Sequence, residues 1–170
     1  AHDLRPEGIE WVHDESGKPV FRLEELTAAN GLAHEHAHDA LSDVEATRAV
    51  AALIRDKQRK LYDFYLALRR KDEVRRIVNL QHPEPILYNS PVFTRPEGTT
   101  SVVLPITANP RNGNEIIAFD LRFETDLLFS LDQDELRRRV FSSREELAGD
   151  ERVPLVGIPL NKVPAVAPLK

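Results

Sequence analysis

Apolar residues recur at helical spacing in the first half of the chain. Residues 1–21 are interrupted by Pro and Gly and predict a loop with at most a short extended piece. After them the pattern predicts four helices, over residues 21–30, 39–57, 59–69 and 72–80. The longest helix carries Leu41, Val44, Ala51 and Ile54 on one face, and Asp39 is placed to cap its first turn.

Strands replace helices from His82 onward. Pro83 and Pro85 end the helical half, since proline cannot continue a helix. Runs rich in β-branched residues predict strands over residues 86–88, 100–104, 115–121 and 153–160, and Asn112-Gly113 is a strong tight-turn signal. One further helix is predicted from the capping sequence at residues 132–135 to about residue 141. Helices followed by strands indicate an α+β chain.

Length and composition limit the possibilities. The 170 residues suffice for one ordinary domain or two small ones. The absence of cysteine excludes disulfides and thiolate metal sites. No apolar run approaches the roughly 20 residues of a membrane-spanning helix, so we expect no membrane partner and a cytoplasmic location. Because the chain opens on Ala1 and contains no methionine, we expect it to be a fragment.

The charge is distributed unevenly along the chain. A net charge of −5 argues by itself against a nucleic-acid binder. Between Arg55 and Arg76, however, nine Lys and Arg stand against four Asp and Glu, a local balance of +5. Clustered cations are what phosphate contacts require. The alternative is a solvated helix face whose cations are paired with the neighbouring acids.

Two histidine motifs are candidates for chemistry. His34, His36 and His38 alternate, and three imidazoles suit zinc, copper or nickel unless they are ordinary polar loop residues. His38 also precedes Asp43 by five residues. A histidine at a helix entrance can take a proton from a metal-bound water, and an aspartate inside that helix can hold a hard divalent cation. The alternative is a helix cap followed by a solvent-facing aspartate.

The sequence context favours the second motif. Residues 30–47 resemble the third motif of the DEDD exonucleases, a histidine and an aspartate spaced H-x-x-x-x-D. Other stretches resemble the bacterial exodeoxyribonuclease I family within that superfamily, among them residues 5–11, 21–24, 60–63, 102–105, 109–110, 112–120 and 161–162. The resemblance runs from about residue 4 to residue 164, and it lowers the expectation of a three-histidine metal site.

The resemblance implies a fold and a mechanism. The family combines a ribonuclease-H-like α/β nuclease domain, a small β-barrel domain of the Src-homology type with added helices, and a helical domain around single-stranded DNA. Residues 1–57 would be the C-terminal part of the nuclease domain, and residues 58–170 an incomplete barrel-type DNA-binding domain. Catalysis uses two Mg²⁺ ions, with His38 as the general base and Asp43 as a metal ligand.

The resemblance also implies partners and a limit. We expect the parent protein to degrade single-stranded DNA from its 3′ end to mononucleotides in DNA repair and recombination, and to be a monomer. Arg69, Arg70 and Lys71 would line the DNA path. Arg59, Lys60 and Phe64 would bind the acidic, hydrophobic-ended tail of single-strand DNA-binding protein, unless Phe64 is simply core. With one metal carboxylate, the fragment alone is expected to be inactive, so a non-catalytic single-stranded DNA or protein-binding module is the alternative.

Overall fold

The computed structural model describes residues 1–33, 40–93, 98–143 and 145–169. Within the described chain, the helices are all too short or too polar to cross a membrane. The chain divides into two compact units, one of Ala1–Leu68 with Ser90–Thr100 and one of Arg69–Asn89 with Ser101–Lys170.

The first unit is a short hairpin followed by three helices. β1 (Val12–His13) pairs antiparallel with β2 (Pro19–Val20). The helices are α1 (Leu23–Ala29), α2 (Ala40–Lys57) and α3 (Arg59–Ala67). These bounds lie within two residues of the predicted ones. Gly31, with φ +63°, takes the left-handed conformation just past α1, as the predicted Asn30-Gly31 stop requires.

Asp3 anchors the segment 98–100 inside this unit. Its Oδ2 accepts the backbone N–H of Thr99 at 2.9 Å and the hydroxyl of Thr100, and its Oδ1 lies 2.7 Å from His2 Nδ1. Gly98 makes room for the carboxylate, because a Cβ there would lie 2.4 Å from the Asp3 carboxyl carbon. Burial tends to raise the pKa of Asp3, but the bonds from Thr100, His2 and Thr99 outweigh it and lower that pKa.

The apolar face predicted for α2 is only partly buried. Ala51 and Ile54 are half-buried, and Ala46 is fully buried. Leu41 and Val44, on the first two turns, are 66% and 64% exposed. The predicted helix is confirmed, but among the described residues nothing covers the apolar side chains at its start.

The second unit is a five-stranded sheet with three helices. The strands follow the order β6-β5-β4-β3-β7, and the β3–β7, β4–β5 and β5–β6 pairs are antiparallel. The strands are β3 (Ile86–Asn89), β4 (Thr100–Ala108), β5 (Glu115–Asp120), β6 (Leu155–Pro159) and β7 (Ala165–Pro168), and the helices are α4 (Lys71–Ile77), α5 (Asp126–Ser130) and α6 (Gln133–Phe141).

Alternate strand residues fill the core of this unit. Ile86, Val103, Phe119, Ile158 and Val166 are each at most 2% exposed, and β3, β4 and β5 alternate buried and half-buried positions. The predicted cap of α6 is confirmed, because the Asp132 side chain accepts the N–H of Glu135 at 2.8 Å. β7 and the five-residue α5 were not predicted as elements.

A buried carboxylate joins the central strands. Asp120, at the end of β5, is 2% exposed. Its Oδ1 accepts the Ser101 hydroxyl at 2.7 Å, and Arg122 Nε lies 2.8 and 2.9 Å from its two oxygens. Burial tends to raise the pKa of Asp120, but the bonds from Arg122 and Ser101 outweigh it and hold the pKa below the ordinary 3.8.

We expect Asp120→Asn to lower the free energy of unfolding by about 2–3 kcal/mol at pH 7, because it leaves the Arg122 guanidinium without its counter-charge. Since the native pKa is depressed, the carboxylate's contribution is present above 3.8 and is lost as the pH falls through the native pKa. The wild-type and variant stabilities, measured by urea unfolding, should therefore converge in acid.

Glu124→Gln is the matched control, since Glu124 is exposed in the same unit and should change stability by less than about 0.5 kcal/mol. An Asp120→Asn variant as stable as this control at pH 7 would show that the buried network contributes nothing to the fold.

Candidate nucleic-acid interface and metal ligand

Asp43 lies in the first turn of α2 and is half-buried. The Thr47 hydroxyl donates to the Asp43 backbone carbonyl at 2.7 Å, which leaves the carboxylate out of that interaction. The start of a helix favours a negative charge because the backbone dipoles point their positive ends there. His34, His36, His38 and Asp39 lie outside the described residues. The pairing of His38 with Asp43 therefore stays a prediction.

The described part of the chain does not form a complete magnesium site by itself. The carboxylate oxygens of Asp43 are suitable ligands for Mg²⁺, which prefers carboxylates and keeps several bound waters. No group of three or more His, Asp or Glu among the described residues is arranged to hold a metal. Asp43 alone fits as one ligand of a larger site.

The basic stretch falls into two parts, each in its own unit. In the first unit, Arg55 Nε pairs with Asp56 at 3.0 Å and Arg59 Nε pairs with Asp63 at 2.7 Å. The bond and charge of Asp63 raise the pKa of Arg59. Lys57 and Lys60 make no ion pair with a described residue. Lys60 is therefore the cation of the predicted partner surface that stays available to an anionic ligand.

In the second unit, Arg70 pairs with Asp72 at 2.8 Å and Arg76 with Glu73 at 3.1 Å. Lys71 Nζ donates to Asn114 Oδ1 at 2.7 Å, which fixes its side chain against the turn before β5. Arg69 and Arg75 are exposed and make no ion pair with a described residue. Exposed pairs contribute little, so Arg70 and Arg76 can exchange their acidic partners for another anion, while Arg69 and Arg75 have no such pair to break.

The burial of Phe64 is intermediate between that of a core residue and that of an exposed partner-binding residue. The side chain is half-buried, and its ring contacts Tyr65 edge-on, with centroids 5.7 Å apart and planes at 77°. Tyr65 is half-buried too, and its burial, with the nearby Asp3 charge, raises the pKa of its hydroxyl. The part of Phe64 that reaches solvent is apolar surface beside Lys60, four residues before it on α3.

A groove in the second unit was not predicted from the sequence. Arg111, Phe141 and Arg152 line it, together with β5 and β6. The Arg111 guanidinium carbon lies 5.5 Å from the Phe141 ring centroid, within cation–π range. About 40 residues separate Arg152 from Arg111 in the sequence. Their spacing in the sequence does not indicate that they lie close together, and the sequence offered only an aromatic residue at the predicted end of a helix as a signal.

Residues 69–170 match the family model of the exonuclease I SH3-like domain. The chain belongs to this family. Two exodeoxyribonucleases I are similar over its whole length. That of Haemophilus influenzae is 41% identical over 172 residues, covering 100% of this chain and 36% of the relative. That of Escherichia coli K12 is 38% identical over 167 residues, covering 98% of this chain and 35% of the relative.

Solved exonuclease I structures share the fold. The moderately thermophilic enzyme of Methylocaldum szegediense matches with a TM-score of 0.90 at 42% identity, covering 99% of this chain and 36% of that one. A zinc-bound complex of E. coli ExoI with single-stranded DNA matches at 0.87 and 37%, covering 98% and 35%. An ExoI/SSB-Ct complex matches at 0.86 and 36%, covering 97% and 35%.

These matches confirm the predicted family and the α+β fold class with an SH3-like region. The chain spans about a third of the length of the curated relatives it matches.

Proposed function

We propose that this chain is part of an exonuclease that degrades single-stranded DNA from its 3′ end, in DNA repair and recombination. The observation that carries the proposal is the match to exodeoxyribonucleases I along the whole chain, at 38–41% identity. An SH3-like domain alone would leave a binding module equally plausible. The match also includes the helix that carries Asp43, and this favours a nuclease.

Residues 1–57 belong in this proposal to the end of the nuclease domain, and residues 58–170 to the barrel-type DNA-binding domain. The exposure of Leu41 and Val44 supports the first assignment, since large apolar side chains on a helix face are usually covered. Further nuclease-domain chain packed on the start of α2 would provide that cover. The parent enzyme is proposed to be cytoplasmic and monomeric.

The chain contributes two groups to catalysis. His38 takes the proton of the attacking water, and Asp43 holds a divalent cation through its carboxylate oxygens. Two Mg²⁺ ions, when bound, stabilise the attacking and leaving oxygens of the displacement. The remaining carboxylates come from other parts of the parent enzyme. A zinc-bound E. coli relative supports the use of a divalent ion.

The first test uses the parent enzyme. Asp43→Asn should abolish metal-dependent release of nucleotides from single-stranded DNA, because it removes the charge that holds the cation. His38→Ala should lower kcat by about 10²–10⁴-fold, the usual contribution of general-base help. The measurement is steady-state hydrolysis of a 3′-labelled oligonucleotide.

Glu45→Gln is the matched control, because Glu45 is an exposed carboxylate two residues along the same helix. It should leave activity unchanged. Full activity in Asp43→Asn would remove this residue from the mechanism. The 170-residue chain alone should give only background release.

DNA binding is proposed to involve Arg69, Arg70 and Lys71. Replacing all three by Gln in the parent enzyme should weaken oligonucleotide binding and flatten its salt dependence by about 0.7 per lost phosphate contact. Arg69→Gln alone should carry much of the effect, since Arg69 has no acidic partner to leave among the described residues. The measurement is the affinity of the wild-type enzyme and each variant for the oligonucleotide as a function of salt concentration.

Lys162→Gln removes an exposed cation from another part of the second unit and should leave the slope as it is. An unchanged slope in the triple variant would take these three residues off the DNA path.

Tail binding is proposed for Arg59, Lys60 and Phe64. The ExoI/SSB-Ct complex of a relative supports it, and so does the half-buried phenyl ring beside an unpaired lysine. Phe64→Ala should weaken binding of a labelled acidic tail peptide by at least about fivefold, as expected for an aromatic anchor. Lys60→Gln should weaken it more at low salt than at high salt.

Leu66→Ala is the control for this surface, because Leu66 is 45% exposed on the same helix two residues away. Circular dichroism checks the fold of each variant. Wild-type affinity in both Phe64→Ala and Lys60→Gln would exclude this surface.

A non-catalytic binding module is the second candidate, and for the isolated 170 residues it is the better description. Its cations and its half-buried aromatic ring need no metal to act. EDTA-sensitive release of nucleotides by the purified chain itself would contradict this description.

A further inference from the structure

The groove in the second unit is used by none of the roles above. Its volume is about 380 Å³, within the roughly 300–1,000 Å³ typical of small-ligand sites. Apolar side chains line its floor, and two cations and one exposed aromatic ring line it as well. The floor residues include Ile117 on β5, Leu155 and Val156 on β6, and Val140 on α6.

The aromatic ring is held at the groove without being buried in it. Phe141 is the last residue of α6 and is 66% exposed. The segment after α6 is bonded back to the helix, because Val153 N donates to Arg139 O at 3.3 Å. Arg138 reinforces this link by pairing with both Glu135 and Asp150. The ring is thus exposed apolar surface on an ordered support.

Both arginines are positioned at the groove by contacts that leave guanidinium donors available. Asn109 Oδ1 accepts the Arg111 backbone N–H at 2.9 Å, which sets the loop from which the side chain reaches the Phe141 ring. Arg152 Nη2 donates to Val140 O at 3.1 Å, a carbonyl at the C-terminal end of α6. A guanidinium has five N–H donors, so most of those on Arg152 remain for a ligand.

Among the described residues, one acidic side chain lines the groove, Glu115, and its position is fixed by two other lining residues. Its Oε1 accepts from Asn109 Nδ2 at 2.6 Å. Its other oxygen lies against Gly157 of β6, where an added Cβ would come within 2.7 Å of Oε2. Glycine is therefore what lets this carboxylate fold back onto the strand. The described lining thus sets two guanidinium groups against one carboxylate, and this positive balance beside an aromatic ring favours an anion.

We propose that this groove binds one nucleotide of single-stranded DNA, with its base stacked on Phe141 and its phosphate held by Arg111 and Arg152. The inference rests on the proposed function and adds a second contact region to it. Stacking on an aromatic ring requires no particular base, and guanidinium groups bind phosphate oxygens through paired N–H donors. The subsite is therefore indifferent to sequence, as a degrading enzyme needs.

A strand-forming peptide suits the groove less well. β6 is the outer strand of the sheet on this side, and an added strand would need its free N–H groups. Pro154 and Pro159 stand at or beside the two ends of β6 and offer none. The Phe141 ring and the two arginines, by contrast, can contact a ligand without the backbone N–H groups of that edge strand.

The test is a titration of the 170-residue chain, followed by NMR, with a short oligothymidylate and with the same oligonucleotide carrying an abasic nucleotide. Backbone signals around Phe141 and Arg111 should shift with the first and much less with the second. Phe141→Ala should weaken oligothymidylate binding by at least about fivefold. Phe141→Tyr should keep it, whereas Phe141→Leu should not, because only a ring stacks.

Arg111→Gln should lower the salt slope by about 0.7, the value for one phosphate contact on a single strand. Phe129→Ala is the matched control, since Phe129 is 84% exposed in the same unit and does not line the groove. It should bind as the unmodified chain does. The comparison of the intact and abasic oligonucleotides uses unmodified protein, so it remains a valid test even if a variant fails to fold.

Other outcomes separate the two proposals. Binding with signals shifted only at Arg69 and its neighbours would overturn the groove subsite and leave the proposed function standing. Shifts in the groove with the acidic tail peptide but not with DNA would make it a protein site and overturn the inference. Absence of any DNA binding by the chain would count against both.

Discussion

A carboxylate inside a small sheet is tolerated only if its lone pairs are filled, and the second unit is arranged around one such group. Asp120 takes donors from Ser101 on β4 and from Arg122 just beyond β5. Its own N–H donates to Pro154 O at 2.9 Å, immediately before β6. One residue thereby fixes three neighbouring strands at the same level. The groove floor is built from β5 and β6, so its shape depends on this network.

Most element positions could be predicted, because local signals determined them. α6 begins where the Asp132 cap predicts, and the four helices of the first half begin and end near the predicted residues. The features that were not predicted depend on partners that are distant in the sequence. β7 is a four-residue strand that exists through its pairing with β3, and nothing in its own residues requires that. Leu41 and Val44 follow helical spacing, yet spacing cannot say whether anything covers them.

The same division applies to the candidate site. Asp43 could be proposed as a metal ligand from a motif because the family resemblance supplied the chemistry, and its predicted partner His38 lies outside the described residues. Counting the cations from Arg55 to Arg76 gives the local charge, but the count does not show which of these side chains are already paired with acids. Arg59 with Asp63 and Glu73 with Arg76 follow helical spacing and were open to prediction. The bond from Lys71 to Asn114 joins residues 43 apart, and only the fold reveals it.

The groove shows that a chain of net charge −5 can still have a locally positive surface. Net charge acts at long range and is screened within about 8 Å at physiological salt, whereas a bound phosphate responds to the groups in direct contact with it. Among the described residues that line the groove, those groups are two guanidinium ions and one carboxylate, that of Glu115, which lies against Gly157. Gly157 therefore influences the charge distribution of the groove, because the missing side chain leaves room for the Glu115 carboxylate. A side chain there would come within 2.7 Å of the Glu115 carboxylate and displace it, and so change the position of the negative charge relative to the two arginines.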